Sequence, residues 1–554
     1  MPTSYALSTL PTSRRDFLRS ASAVSLAACA PIMRRSGDKV DVVIRGGAVF
    51  DGSLAATGVE ADVALNGGRV VAIGRRLADT GRLEVDAKGQ AVAPGFIDVH
   101  SHGDGTLFAD PNAESMIRQG VTTIVVGQDG SSRGPRTAAD EDSDSATLKA
   151  FFDRIDKLPA AVNVASMVGL GTVRGVVMGN ENRPATSAEL EKMVALVERA
   201  LADGACGAST GLEYTPGAFA PLSELIALSR PLSRRGLPYS THMRNEDDQL
   251  LEAIDESIAV ARGAGCPLQI AHLKTQGPRN WGKLEQVFAK VADARAAGID
   301  AAFDRYPYLA YQTGLSNLFP VWARDGTSED FLRRLDEPAT ATRIREFAEE
   351  RAALIGGWHN VQISGVSNAA DKATEGMRLD DVAKARSLAP YDTAVAMLKA
   401  NKGSVGMVGF AMSEENLERI LAHPQGMVCS DGGSLAVSGP ARSGHPHPRG
   451  AGSFARVLGR YVRERKVLTL GAAIHKMSEI SAARCRLAGR GQLRVGAMGD
   501  VVVFDPATVA DTATFADPFQ YAVGITAVFV NGSMALLHGE RGARTGRAVR
   551  VAAG

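Results

Sequence analysis

Apolar residues along this chain fall into two textures. In the middle, short apolar runs bounded by Gly, Pro or Asp alternate with longer stretches in which apolar residues return at helical spacing. The runs at 93–102, 121–127, 163–168, 205–209, 237–242, 267–272, 299–304 and 427–432 predict eight buried strands. The stretches between them predict helices at about 187–203, 249–263 and 283–297. In the first of these, Ser187 is the expected N-cap, with Leu190, Met193, Val194, Val197 and Leu201 on one face. Eight such βα units predict a (β/α)8 TIM barrel over residues 94–487. The two ends of the chain read differently. Segments 40–52, 62–74, 499–505 and 525–532 are β-rich, cut by Gly turns, and have no helices between them; Asn66-Gly67 is a hairpin signal. Each end alone leaves an apolar face bare, so 40–93 and 488–554 are expected to pack together as a small β-sandwich domain. Residues of about 315–357 are mostly helical and fit no barrel unit, which predicts an insertion after the seventh strand, placed to cover the mouth. The acidic run 140–144 reads as a solvated loop.

Composition narrows the classes. The 554 residues are 45% hydrophobic with a formal net charge of +1, so no basic excess points to nucleic acid. Five cysteines in this length make no disulfide framework. The amino terminus carries an address. Ser13-Arg14-Arg15-Asp16-Phe17-Leu18 matches the twin-arginine export pattern and leads into a weakly apolar stretch through Ala28, too short for a permanent membrane span. Leu26-Ala27-Ala28-Cys29 matches a lipobox, with ordinary cleavage near Ala30 as the alternative. The expectation is a signal peptide at 1–28, a periplasmic location, and membrane contact only through a lipid anchor at Cys29.

The candidate chemistry lies at the predicted strand ends. His100 and His102, two apart on a strand, share a face and can converge on one point. His242 ends the fifth strand, His272 the sixth, and Asp431 the eighth, and a barrel gathers those ends at one mouth. Imidazoles and a carboxylate at one mouth read as a metal-dependent hydrolase. The other histidines, His359, His423, His445, His447, His475 and His538, are read as structural.

Several strings then carry a closer likeness. They are Pro94-Gly95-Phe96-Ile97-Asp98-Val99-His100-Ser101-His102, Gln119-Gly120-Val121-Thr122-Thr123, the run 204–217 containing Gly211-Leu212-Glu213-Tyr214, and Thr241-His242-Met243-Arg244-Asn245-Glu246. Asp304-Arg305-Tyr306-Pro307-Tyr308, Ser430-Asp431-Gly432 and His445-Pro446-His447-Pro448-Arg449 complete the set. In these the chain resembles the amidohydrolase superfamily, and within it the D-aminoacylase (N-acyl-D-amino-acid deacylase) group. The resemblance implies hydrolysis of the amide bond of N-acyl amino acids, the D forms being a trait of that group, with zinc as cofactor and a small-molecule N-acyl amino acid as substrate. It implies a tight ion on Asp129, His242 and His272, a weaker second position at His100 and His102, and Asp431 as general base. Lys274 and Arg449 would anchor the substrate carboxylate, and Tyr214 and Tyr308 would stand near the substrate. One position departs from the pattern. The group has a ligating Cys in an Asn-Cys-Gly string where this chain has Gln128-Asp129-Gly130; a carboxylate can serve there as an oxygen donor. The fourth strand offers no Lys for carbamylation, which argues against cyclic-amide hydrolases. The alternatives are a metallo-dipeptidase or other amidase of the same superfamily, and a non-catalytic exported metal-binding protein.

Overall fold

The computed structural model describes residues 37, 39–54, 57–135 and 146–552. The expected signal segment 1–28, Cys29 and the acidic run 140–144 lie outside the described residues.

Eight parallel strands follow one another through the middle of the chain: Phe96–Asp98, Val121–Val126, Asn163–Ser166 continued by Val168–Gly169, Ala208–Gly211, Tyr239–His242, Leu268–Ile270, Ala301–Arg305 and Gly426–Val428. They pair in that order as two arcs that meet at the third strand, one through Asn163–Ser166 and the other through Val168–Gly169. No ladder joins the eighth strand to the first. Their carboxyl ends are instead tied by backbone bonds, from Asp431 N to His100 O (2.9 Å) and from His102 N to Gly432 O (2.9 Å), and by Ser430 N donating to Asp98 Oδ1 (2.8 Å). All eight strands are wholly buried, as parallel strands covered on both faces are.

The helices between them follow local signals, with shifts of a residue or more. Ser187–Ala202 is capped by Thr186, not Ser187: the Thr186 hydroxyl accepts from Glu189 N, and the Glu189 side chain returns to the Thr186 backbone. Leu250–Ala264 stops at Gly265, whose φ of 72° continues the chain in the left-handed region. The fourth strand starts three residues later than its sequence suggests.

The two chain ends meet in one sheet of nine strands. Ala91–Pro94 pairs antiparallel with Val501–Phe504, joining the amino-terminal strands to the carboxyl-terminal ones. Hydrogen bonding runs unbroken through all nine. Its alternation serves two cores: Val501 and Val503 pack among Val42, Ile44, Val63 and Phe529, while Val502 and Phe504 join the large core beneath the parallel strands.

The segment between the seventh and eighth strands is larger than the expected 315–357. It has its own three-stranded antiparallel sheet, with Val405–Phe410 between Ala310–Gly314 and Val361–Val366, as well as the helix Pro338–Leu354.

Candidate metal centre

The carboxyl ends of the parallel strands open onto a cavity of about 660 Å³. His242 is the last residue of its strand, whereas His100, His272 and Asp431 stand two or three residues past theirs, on the turns that leave the mouth. Three of the side chains come from left-handed backbone, with φ of 51° at Asp129, 36° at His272 and 49° at Asp431. Such conformations cost a non-glycine residue free energy, roughly 1–3 kcal/mol in strained cases, and they persist where surrounding structure imposes them. At Asp129 the imposition is visible. A Cβ on Gly130 would stand 2.7 Å from Gly211 N, so the turn is pressed backbone to backbone against the end of the fourth strand.

The side chains converge closely. His100, His102, Asp129 and Asp431 each offer one atom, all within 4.8 Å of one another, and Asp129, His242 and His272 form a second such group. Asp129 is shared: Oδ1 lies 3.4 Å from both His100 Nε2 and His272 Nε2, and Oδ2 lies 3.4 Å from His102 Nε2 and 3.9 Å from His242 Nδ1. All five residues expected to bind metal are thus brought together. Both ring nitrogens of His100 and Oδ1 of Asp129 are buried without a hydrogen-bond partner. Buried polar atoms are seldom left so, and His100 Nε2 and Asp129 Oδ1, 3.4 Å apart, are ligand atoms that a shared cation would satisfy. The field agrees. Burial disfavours a charged His102, yet the Asp129 and Asp431 carboxylates raise it to about 10. Electrostatics strong enough to hold a proton there suit a divalent ion.

A second layer orients the imidazoles, as is usual around metals. Glu213 Oε2 is 3.4 Å from His242 Nε2, Glu246 Oε1 is 3.1 Å from His272 Nδ1, and Asp304 Oδ1 is 3.6 Å from His100 Nδ1. Asp304 also accepts from His272 N at 2.8 Å. Sequence reasoning did not single out these acids as site residues, although all three sit in the strings quoted above. Lys274 lines the cavity but has carboxylate company: Nζ donates to Glu246 at 2.6 and 2.7 Å and lies 2.8 Å from His272 Nδ1. Arg449 Nη1 donates to Asp431 Oδ2 at 2.6 Å, while its buried Nε has no partner. Burial opposes ionisation of Asp431, but Arg449 and then His272 outweigh it and hold the carboxyl far below its usual range.

The two tyrosines part company. Tyr214 lines the cavity, its ring 4.7 Å from that of His242. Tyr308 does not line it; its hydroxyl turns away to donate to Asp511 Oδ2 at 3.3 Å, beneath the Arg456 guanidinium. Tyr306 faces the cavity instead, with its buried hydroxyl unpartnered and the Arg449 guanidinium 4.7 Å from its ring. Arg351 reaches the cavity from the inserted helix and pairs with Asp247 and with Glu213 at 3.7 Å. His447 is structural, accepting from Arg449 N (3.0 Å) and lying 2.9 Å from Ala310 O.

Comparison with known proteins places this geometry. The amidohydrolase family model matches residues 83–317 and 440–535. The chain is 37% identical over 504 residues to a D-aminoacylase of Alcaligenes xylosoxydans xylosoxydans, covering 89% of this chain and 94% of that protein. It is 37% identical over 523 residues to an N-acyl-D-glutamate deacylase of the same organism, covering 93% and 97%. Among solved structures, the N-acyl-D-glutamate deacylase of Bordetella bronchiseptica, complexed with zinc and a phosphonate mimic of the reaction's tetrahedral intermediate, superposes with a TM-score of 0.79 at 34% identity, over 92% of this chain and all of that one. This chain belongs to the amidohydrolase family, in the group of D-aminoacylase and the N-acyl-D-amino-acid deacylases.

Proposed function

We propose that this protein is a metal-dependent hydrolase that cleaves the amide bond of N-acyl-D-amino acids, releasing a carboxylate and a free amino acid. The observation that carries the reading is the set of orphaned atoms on His100 and Asp129, buried among three further imidazoles and facing Asp431 and Arg449 across one cavity. The donor set fits zinc, which accepts imidazole nitrogen and carboxylate oxygen. Asp129, His242 and His272 would hold the tight ion, and His100 and His102 a weaker second one. A zinc ion there supplies Lewis acidity, polarising a carbonyl oxygen and acidifying water.

The chain's own groups supply the rest. Arg449 and Lys274 bind the substrate carboxylate; both are buried cations at the cavity wall, and the guanidinium fork suits a carboxylate. Asp431, kept ionised by Arg449, takes the proton from the attacking water and passes it to the departing amine nitrogen. Tyr214, its ring 4.7 Å from that of His242, stands where a phenol can donate to the oxygen that gains charge. The inserted segment, reaching the cavity through Arg351 and Thr313, limits access of bulk water.

A panel of N-acetyl-D-amino acids, N-acetyl-L-amino acids and dipeptides tests this reading. Hydrolysis of the D series, abolished by a chelator and restored by zinc, is the expected result. Turnover of dipeptides alone would make the protein a peptidase, and a metal-replete protein inert on the whole panel would leave only a metal binder. The twin-arginine string and lipobox support export to the periplasm and a lipid anchor at Cys29. Arg14→Lys with Arg15→Lys should retain precursor in the cytoplasm, and Cys29→Ser should release mature protein from membranes.

A further inference from the structure

Four basic side chains of the barrel mouth and inserted segment surround the substrate region, and three of them face a carboxylate. Lys274 pairs with Glu246, Arg449 with Asp431, and Arg351 with Asp247 and Glu213. Arg324 is the exception. Its Nη1 donates to the Asn317 side-chain oxygen at 2.7 Å and its Nη2 to the Glu213 backbone oxygen at 3.0 Å. Its Nε is buried without a partner, and it forms no ion pair among the described residues. Burial pulls this guanidinium below its usual range, and the more distant charges of Glu213 and Tyr214 compensate only in part. A largely desolvated cation with neutral acceptors and a spare N–H is an incomplete anion site.

Arg324 also has a chamber to serve. A second cavity of about 290 Å³ is lined by Arg324, Asn180, Ser316 and Phe331, and shares Tyr214, Thr215 and Asn317 with the wall of the main cavity. Asn180 contributes a second buried atom without a partner, its side-chain oxygen. The partition between the two cavities is a chain of polar contacts. The Tyr214 ring lies beside His242, Thr313 Oγ1 donates to Tyr214 Oη (3.3 Å), Asn317 Nδ2 donates to Thr313 Oγ1 (3.0 Å), and Asn317 Oδ1 accepts from Arg324.

The order of the strands decides which part of a substrate reaches it. The carboxylate anchors Lys274 and Arg449 follow the sixth and eighth strands, and the ion's ligands occupy the centre. Tyr214 follows the fourth strand, across the mouth from the eighth. A substrate held by its α-carboxylate on one side, with its amide carbonyl at the centre, extends its acyl group towards Tyr214 and the second chamber. We infer that this chamber is an acyl subsite in which Arg324 binds a carboxylate at the far end of the acyl group, so that monoamides of short dicarboxylic acids, such as N-succinyl amino acids, are preferred over N-acyl groups of equal length without the charge. The inference rests on the deacylase reading above and names the class of acyl group that reading leaves open.

The test measures kcat/KM for the N-acetyl, N-butanoyl and N-succinyl derivatives of one D-amino acid, chosen as the one turned over fastest in N-acetyl form. Butanoyl and succinyl have the same chain length, so their ratio isolates the terminal carboxylate. The wild type should favour succinyl by about ten- to a hundredfold, the range of one charge-assisted contact. Arg324→Gln should bring that ratio close to one, and Arg324→Lys should restore part of it. Because each ratio is taken within one enzyme, general damage cancels. If Arg324→Gln fails to fold, product inhibition of the wild type decides instead, with succinate expected to inhibit more tightly than butanoate in a salt-sensitive way. A succinyl-to-butanoyl ratio near one in the wild type, or a preference that survives Arg324→Gln, overturns the inference while the N-acetyl activity keeps the deacylase reading. No turnover of any derivative overturns the deacylase reading itself.

Discussion

Two buried polar clusters stand at opposite ends of the parallel strands, and they are built to opposite rules. At the amino-terminal side, where the β domain meets the strands, Asp500 pairs with Arg490 and accepts from Asn531 N at 2.7 Å. Asn531 Nδ2 donates to Asn163 Oδ1 at 2.8 Å and to Thr545 O, and Asn163 Nδ2 donates to Thr122 O. Every group there is answered by the protein itself. At the mouth, His100, Asp129, Tyr306 and Arg449 all keep buried atoms with no partner. The first cluster fastens two domains; the second is complete only with an ion and a substrate. Burial and charge are similar in both, so neither property identifies a functional site. What separates these two clusters is that one is complete and the other is not.

The contrast can be broken from either end. The largest effect is expected at Asp431. Asp431→Asn keeps the shape and most of the hydrogen bonding but cannot take a proton. Amide hydrolysis should fall by roughly two to four orders of magnitude while zinc content survives. Steady-state kinetics beside metal analysis reads both. Next comes the closed cluster. Arg490→Met leaves Asp500 buried without its cation and should cost roughly 3–5 kcal/mol of stability in chemical denaturation. Metal content of the folded fraction and its KM should not move. The smallest of the three is Glu213→Gln, which removes the charge behind His242 and loosens Arg351. Zinc affinity should weaken by about ten- to a hundredfold in competition with a chelator, with the fold intact. An unchanged affinity would reduce Glu213 to a strut for the inserted helix.

Much of this site is legible in the sequence because the strands that carry it are short, apolar and buried on both faces. A His or Asp just past such a run has one place to go. The fourth strand is harder to place. In Ala205-Cys206-Gly207-Ala208-Ser209-Thr210-Gly211 every residue is small, so no apolar contrast marks where pairing begins. Tyr308 was set near the substrate by resemblance alone; Tyr308 N bonds back to Tyr306 O at 3.0 Å, and this turn sends the two rings to different sides, Tyr306 to the cavity and Tyr308 away from it. The sheet of the inserted segment is hidden for another reason. Val361–Val366 and Val405–Phe410 are broken by glycines and pair over long separations, so neither local pattern nor periodicity announces them. Glu213, Glu246 and Asp304 stand beside histidines, and a sequence gives no sign of which acid will stand behind which imidazole.

Asp129 bears the central claim most directly, since its carboxylate lies within 3.9 Å of four histidines. The measurement is the zinc content of purified wild type and of Asp129→Ala, with folding checked by circular dichroism. Stoichiometric zinc in the wild type, and its loss together with amide hydrolysis in a folded Asp129→Ala, is the predicted result. Full zinc occupancy in Asp129→Ala would contradict it, leaving Asp129 as a turn residue and the ion on the histidines alone.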